Sequence, residues 1–435
     1  MSTVKYTVKN AEISDKIIFH KNDIEGVDFQ TFKYVLFNYT VPDGFHSTLE
    51  YNETSEVCKV PSGSWHKLNI KNLTDNRFVS EKYDWSFDGE LRPAQQEVVD
   101  KLLVGDKLYS GLIQAPCGFG KTFVGGYLIG AYGKSTIIIC HTKLLAYQWR
   151  DLLQQKIIGA KIGFVGDGKE DIQPITVGIY KSLLTRMDKI RGRFEVAITD
   201  EAHLCVAETF SKVVNGIDAK VKLALTATPT RKDGLHVVFP DYFGPNRVIA
   251  RDEGKLQPSV QIVKTSIPFN VIQPQRDWTK QLTKLGQNKE YLNLISTVAR
   301  DKIALNRCLL ILSERIDMLE QLKLLIPRSV LLVGSTPAKQ REDVLENAGI
   351  KYDAILTTKI FDEGISCHRL DTILLTCPNN NYAKLEQRIG RILRNHPDKQ
   401  SPLIVDFWLS GAIVSGQQKN REQWYLKNNY PILKN

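Results

Sequence analysis

Val196-Ala197-Ile198-Thr199-Asp200-Glu201-Ala202-His203 is a short, continuously apolar run that ends in two adjacent carboxylates. A run of this length without polar alternation reads as a strand buried on both faces, as the strands of parallel sheets are. The carboxyl end of such a strand is where open α/β sheets bind ligands. Similar runs lie on either side, at Ser135–Cys140, Ile175–Ile179 and Lys222–Thr226, with helical stretches between them. A second series follows at Cys308–Leu312, Ser329–Val333, Ala354–Thr357, Thr372–Thr376 and Leu403–Asp406. The pattern predicts two open α/β sheets in tandem, joined in the polar stretch between Val248 and Asn270 that holds Gly254 and Pro258. A chain of 435 residues also exceeds what one core serves.

Residues 1–88 read differently. They hold 14 of the 39 aromatic residues, too many for a disordered segment. The β-type runs Tyr34–Tyr39 and Trp65–Ile70, broken by Pro42-Asp43-Gly44 and Pro61-Ser62-Gly63, predict a small β-rich or mixed domain. The expected organisation is 1–88 as an accessory, DNA-binding domain, 89–250 and 251–410 as the two sheets, and 411–435 as a tail.

Ala115-Pro116-Cys117-Gly118-Phe119-Gly120-Lys121-Thr122 precedes a helix-compatible segment. Gly118 and Gly120 let backbone N–H groups curl around phosphate oxygens, Lys121 adds a point charge, and Thr122 offers a hydroxyl to Mg²⁺. Ala115 stands where the strict pattern has glycine, and a glycine-rich turn before a helix would look similar. An isolated Asp-Glu pair can likewise serve a helix N-terminus. Together the loop and the carboxylates read as a Mg²⁺–ATP site, with Asp200 holding the ion and Glu201 orienting and deprotonating the attacking water. Downstream, Gln387, Gly390, Arg391 and Arg394 fall on one helical stripe, with Ile389, Ile392 and Leu393 largely off it. A solvated basic helix face has the same spacing.

Lys121-Thr122, Asp200-Glu201-Ala202-His203, Thr226-Ala227-Thr228 and Gln387-Arg388-Ile389-Gly390-Arg391-Ile392-Leu393-Arg394, in that order, resemble motifs I, II, III and VI of the DExH-box superfamily 2 helicases. The resemblance spans about Leu91 to Asp406. It implies two tandem RecA-like lobes with an ATP cleft between them, preceded by the small N-terminal domain. It makes Lys121, Asp200, Glu201, Gln387, Arg391 and Arg394 the catalytic set, the two arginines acting as fingers on the transferred phosphate. Arg92 and Gln95 resemble the adenine-reading segment, although Ala94 lacks the aromatic often found there. They would join Pro116, Cys117, Gly118, Phe119, Gly120, Lys121 and Thr122 around the nucleotide, with Glu363 and Gly364 from motif V. Thr122 and Asp200 would hold the metal. Thr142, Lys143 and Gln148 resemble motif Ia, Thr176 and Lys181 the next strand-end motif, Ser313 motif IV, and Thr357 and Thr358 motif V. Such residues suit phosphate contact without base readout; for any single one, strand-end capping is the alternative. His203, Thr226 and Thr228 would couple the ATP site to the nucleic-acid track.

The wording Leu225-Thr226-Ala227-Thr228-Pro229-Thr230-Arg231-Lys232-Asp233-Gly234 is similar to that of the XPB-like group, which includes phage branch-migration helicases. The implied partner is duplex, forked or branched DNA, with ATP and Mg²⁺ as cofactors, replication and recombination proteins as further partners, and a monomeric motor. An RNA helicase, or a repair- or transcription-associated duplex translocase that separates no strands, is the alternative. The net charge of +10 sits wholly downstream of residue 88, since residues 1–88 carry 10 Lys/Arg against 13 Asp/Glu. A polyanionic partner would meet that basic part. The seven cysteines form no C-x-x-C pair, which argues against a zinc or iron–sulfur site. They read as reduced thiols. The polar start and the lack of any run of about 18 apolar residues predict a cytoplasmic protein without a membrane span, of a phage or virus acting in its host.

Overall fold

The computed structural model describes residues 5–116, 118–205, 207–227, 229–231, 233–251, 256–272, 274–358, 367, 369–378, 382–393 and 399–433, with positions 208, 274–276, 338, 382–384, 387 and 391 described for backbone only. The chain divides into two compact units, Met1–Glu253 and Gly254–Asn435.

The first unit opens with a mixed module. Tyr6–Ile13, Lys16–His20, Val57–Pro61 and Glu50–Asn52 form an antiparallel run, and Leu68–Asp75 pairs parallel to Tyr6–Ile13. Helix Phe29–Phe37 buries Phe32, Leu36 and Phe37. This corrects the reading of Tyr34–Tyr39 as a β-run. Asp28 caps the helix by accepting from Thr31 N, the buried residues recur at helical spacing, and only Asn38 onward is extended. Trp65–Lys67 likewise sit in a 3₁₀ turn, and the strand starts at Leu68.

The remainder of this unit is an eight-stranded sheet. Its strands are β1 (Gly111–Gln114), β2 (Thr136–Cys140), β3 (Ile162–Gly166), β4 (Lys169–Asp171), β5 (Ile175–Ile179), β6 (Val196–Asp200), β7 (Val221–Thr226) and β8 (Arg247–Ile249). The order is β4-β3-β5-β2-β6-β7-β1-β8, and every pair is parallel except β3–β4. Helices α1 (Lys121–Tyr132) and α2 (Lys143–Lys156) follow β1 and β2. The residues between module and sheet belong to the sheet's core: Trp85 is buried with its Nε1 donating to Ile129 O at 3.1 Å, and a Cβ on Gly130 would lie 2.7 Å from the Phe87 side chain. The module itself is pinned by Asp241, fully buried, which accepts from Tyr39 Oη at 2.7 Å and Thr48 Oγ1 at 2.5 Å and pairs with Lys67 at 2.5 Å.

The second unit is a six-stranded, all-parallel sheet: β9 (Ser259–Pro268), β10 (Leu309–Leu312), β11 (Ser329–Leu332), β12 (Ala354–Thr357), β13 (Thr372–Leu375) and β14 (Leu403–Ser410), in the order β9-β14-β13-β10-β12-β11. Both sheets are of the RecA-like helicase type, as expected. Helix α3 (Tyr382–Ile392) packs Leu385, Ile389 and Ile392 inward. The segment expected to be a tail contains helix α4 (Ala412–Lys427). Its Arg421 is buried and forks onto both oxygens of Asp406 at 2.7 Å, where Tyr425 Oη also donates. Residues 431–433 then bridge the outer edge of β9 at Val260: Val260 N donates to Pro431 O, and Leu433 N to Val260 O, each at 2.8 Å.

Candidate active site

In a parallel sheet all strands end on one edge. Here β1, β7 and β6 deliver the expected phosphate loop, Thr226 and Asp200-Glu201, while β2, β5 and β3 end at Cys140, Ile179 and Gly166. The two groups are contiguous along the edge, so the residues expected at the nucleotide and those expected in motif Ia lie side by side.

Gly118 and Gly120 hold φ of 82° and 86°, left-handed values that glycine adopts without strain. A Cβ on Gly120 would come within 2.7 Å of Gln95 Nε2. Lys121 Nζ donates to Ala115 O at 3.1 Å, inside the loop. Arg92 and Gln95 converge on the same loop: Gln95 Nε2 donates to Phe119 O at 2.8 Å, Arg92 Nη2 donates to that carbonyl, and Arg92 N donates to Gln95 Oε1 at 2.9 Å. These two residues therefore fix the loop's conformation from helix Pro93–Leu102.

Asp200 is buried at the end of β6, its Oδ2 accepting from Trp149 Nε1 at 2.8 Å and its Oδ1 from Glu201 N at 2.9 Å. Burial, and then the Glu201 charge, push its carboxyl upward, while the Trp149 hydrogen bond and Lys121 oppose that. Glu201 is held low: burial alone would raise it, and His203, Lys121 and His141 together overcome that. Its backbone is left-handed at φ 49°, a strained value of the kind found at functional sites. His203 Nδ1 lies 3.2 Å from Glu201 Oε2, outside hydrogen-bonding geometry, and 3.4 Å from Thr226 Oγ1. The proposed coupling residues His203 and Thr226 thus meet at the carboxylate.

This donor set fits Mg²⁺ and a nucleotide. Glu201 Oε2 is buried without a hydrogen-bond partner, the upward push on the Asp200 carboxyl is one that a bound cation would reverse, and Gly120 holds a left-handed φ of 86° that a side chain would strain. Thr122 is half-buried on the first turn of α1.

Three supporting residues were given no role of their own in the motif reading. Trp149 is wholly buried over Gly125, whose Cβ would meet the indole at 2.5 Å. His141, with Nδ1 buried and unpartnered, stands beside Glu201. Arg231 Nη1 donates to His203 O at 2.5 Å and is held by Asp233. The Gly125-Gly126 pair inside a helix was the available signal, since each interior glycine costs about 1 kcal/mol and calls for a packing reason.

Among the expected nucleic-acid residues, Lys143 and Lys181 are exposed just after β2 and β5. Thr142 caps α2 by accepting from Leu145 N, and Gln148 is half-buried on that helix. Thr176 is a correction: it sits at the amino end of β5, fully buried, with its hydroxyl donating to Gln173 O at 2.6 Å, so it ties down a turn away from the functional edge. In the second unit Ser313 and Thr357 are neighbours through Ser313 N to Thr357 O at 3.2 Å. Ser313 Oγ accepts from Arg315 N at 3.1 Å, whereas Thr357 Oγ1 is buried without a partner and Thr358 follows half-buried. Positions 387 and 391 lie on α3, but their side chains fall outside the described residues, as do Cys117, Thr228, Glu363, Gly364 and Arg394. The six described cysteines are buried. Among the described residues no helix is long and apolar enough to cross a membrane, and no cluster of three His, Cys, Asp or Glu could hold a metal.

Residues 88–231 match the family model described as type III restriction enzyme, res subunit, and residues 289–396 match that of the helicase conserved C-terminal domain. Together they cover more than half of the chain. A protein of Escherichia phage T5 named as a helicase, D10, is 28% identical over 330 residues, covering 74% of this chain and 73% of that protein. A protein of Acanthamoeba polyphaga mimivirus named as an ATP-dependent RNA helicase, L396, is 25% identical over 453 residues, covering 99% and 85%. The DNA 3'-5' translocase XPB2 of Sulfurisphaera tokodaii is 26% identical over 363 residues, covering 72% and 81%. In fold, the structure of S. cerevisiae Dbp5 bound to RNA and ADP BeF3 aligns with a TM-score of 0.59 at 11% identity, covering 79% of this chain and 90% of that one. With both helicase domains in order and the phosphate loop, Asp200 and Glu201 on one sheet edge, the chain belongs to the superfamily 2 helicases, near the XPB-like and phage group, as an ATP-driven helicase or translocase.

Proposed function

We propose that this motor works on DNA, duplex or branched, remodelling forks and junctions and driving branch migration. The observation that carries the motor reading is the single edge on which Lys121, Asp200 and Glu201 stand next to Lys143 and Lys181. DNA is favoured by the XPB-named relative. RNA is a second reading, because the relative that spans nearly the whole chain is named for RNA. The phage and viral relatives support action inside a host cell, with replication and recombination proteins as further partners.

Mg²⁺–ATP supplies the phosphoanhydride bond whose cleavage drives the motor. The backbone amides at Gly118 and Gly120 and the Lys121 ammonium would bind its phosphates, and Thr122 and Asp200 would hold the ion. Glu201 Oε2 accepts a proton from the attacking water, and the neighbouring His203 transmits its state to Thr226 on β7. By the family resemblance, Gln387, Arg391 and Arg394 belong to the same catalytic set.

Lys121→Ala and Glu201→Gln should each abolish ATP turnover and leave DNA binding intact; substantial turnover by the Glu201→Gln protein would overturn the mechanism. ATP hydrolysis should be stimulated more by forked or four-way DNA than by RNA of equal length. The reverse ranking would assign the motor to RNA, and equal stimulation by plain and branched duplex would leave a duplex translocase.

A further inference from the structure

The half of the edge that carries the exposed lysines also carries an acid. Asp167 follows β3 directly, in the turn to β4, with left-handed backbone at φ 52° followed by Gly168 at 77°. Because β3, β5 and β2 are parallel, this turn opens on the same edge as Lys143 and Lys181. Its Oδ2 accepts from Tyr147 Oη at 2.6 Å and pairs with Lys143 Nζ at 2.6 Å.

Asp167 does not hang free on a mobile tip. Tyr147 lies one turn after Lys143 on α2 and stacks flat on the buried Phe164 of β3, with centroids 5.0 Å apart and planes 5° from parallel. The Arg150 guanidinium covers Tyr147 at 4.5 Å. The ring thus presents its hydroxyl to Asp167 from a fixed position, and Asp167 in turn holds the Lys143 ammonium. An acid is an odd choice where a phosphate backbone is to run, since it neutralises the nearest cation and repels the ligand.

We propose that Asp167 is a built-in competitor for the nucleic-acid backbone: it latches Lys143, and a phosphate must take the ammonium from it to seat on this part of the edge. This rests on reading Lys143 as a phosphate contact. The latch keeps non-specific binding weak, so that a translocating motor can release each phosphate as it moves. Exposed ion pairs are individually weak and easily exchanged, which suits a contact that must open and close repeatedly.

The test is equilibrium binding of the full chain to a fluorescent duplex DNA over a series of salt concentrations, with Lys143→Ala, Asp167→Asn and the double variant, each checked for folding by thermal unfolding. Asp167→Asn should bind roughly threefold to tenfold more tightly, and its log affinity should fall more steeply with log salt, by about one counterion, because Lys143 becomes a full phosphate contact. Lys143→Ala should weaken binding, and the double variant should match Lys143→Ala. Equal or weaker binding by Asp167→Asn, while Lys143→Ala still weakens it, overturns the latch and leaves Lys143 in the track. Tightening by Asp167→Asn that persists without Lys143 also overturns the latch, showing simple repulsion. No effect of Lys143→Ala removes the underlying reading of Lys143 and the latch with it.

Discussion

Asp200 meets an indole in the core, and this one contact shows how a motif residue depends on one outside the motif. Trp149 has the one polar atom of its side chain on the carboxylate oxygen opposite the one facing Glu201 N. Trp149→Phe keeps the ring over Gly125 and removes the donor. Steady-state hydrolysis should then show kcat lowered roughly tenfold with KM for ATP little changed, since a misplaced catalytic group costs mainly transition-state stabilisation. Gly125→Ala should do similar damage by displacing the ring, because nothing in the wholly buried indole can yield to a Cβ at 2.5 Å. Lys222 makes a different prediction. It is buried on β7, with Nζ donating to Val214 O, and burial pushes its ammonium down from 10.5 to about 8. A lysine that binds its proton less well when folded costs stability at neutral pH, and that cost fades as pH rises from about 8 to 10.5. Lys222→Met should therefore stabilise by about 1 kcal/mol near pH 7, with the advantage over the parent shrinking across that window in denaturant titrations. The paired carboxylates and the phosphate loop were legible because their chemistry admits few alternatives. Trp149 was not, since its role needs a neighbour 51 positions away.

At the level of elements, the buried parallel strands read well because an unbroken apolar run has few other uses. Thr176 misled because motif resemblance gives a residue's place in the order of the chain and not which end of its strand it occupies; the hydroxyl sits on the Gln173 turn. Tyr34–Phe37 misled because aromatic residues favour strands intrinsically, while here their spacing buries one helical face. Helix α4 was invisible as a packed element because much of its anchoring is polar: Arg421 engages Asp406 across 15 positions and Gln418 donates to Leu409 O, beside the buried Val414 and Tyr425. Arg421→Met leaves the Asp406 charge buried with Tyr425 and Trp408 as its side-chain donors among the described residues, and breaking a buried pair on one side costs about 3–5 kcal/mol. Thermal melts should show the second unit unfolding separately and earlier in this variant, with nucleotide affinity of the first unit retained.

Across the whole molecule, the accessory module and the first sheet are joined by buried polar and aromatic contacts, which sets where the chain can be cut. Removing residues 1–75 exposes Asp241 but leaves Trp85 and Phe87 in place; removing 1–88 takes both from against α1. The shorter deletion should retain basal ATPase and lose junction processing, whereas the longer one should lose thermal stability and ATPase together. Equal basal ATPase in the two would mean that the aromatic pair contributes nothing to the phosphate-loop helix. The Pro431–Leu433 cover on β9 has a consequence for synthesis. Strand β9 is made more than 160 residues before the segment that pairs with Val260 on its outer edge, so the Val260 donor and acceptor stay open while the rest of the second sheet assembles. During translation that edge is a template for pairing with another nascent copy, and slowing the ribosome just before residue 431 should raise the fraction of chains lost to aggregation.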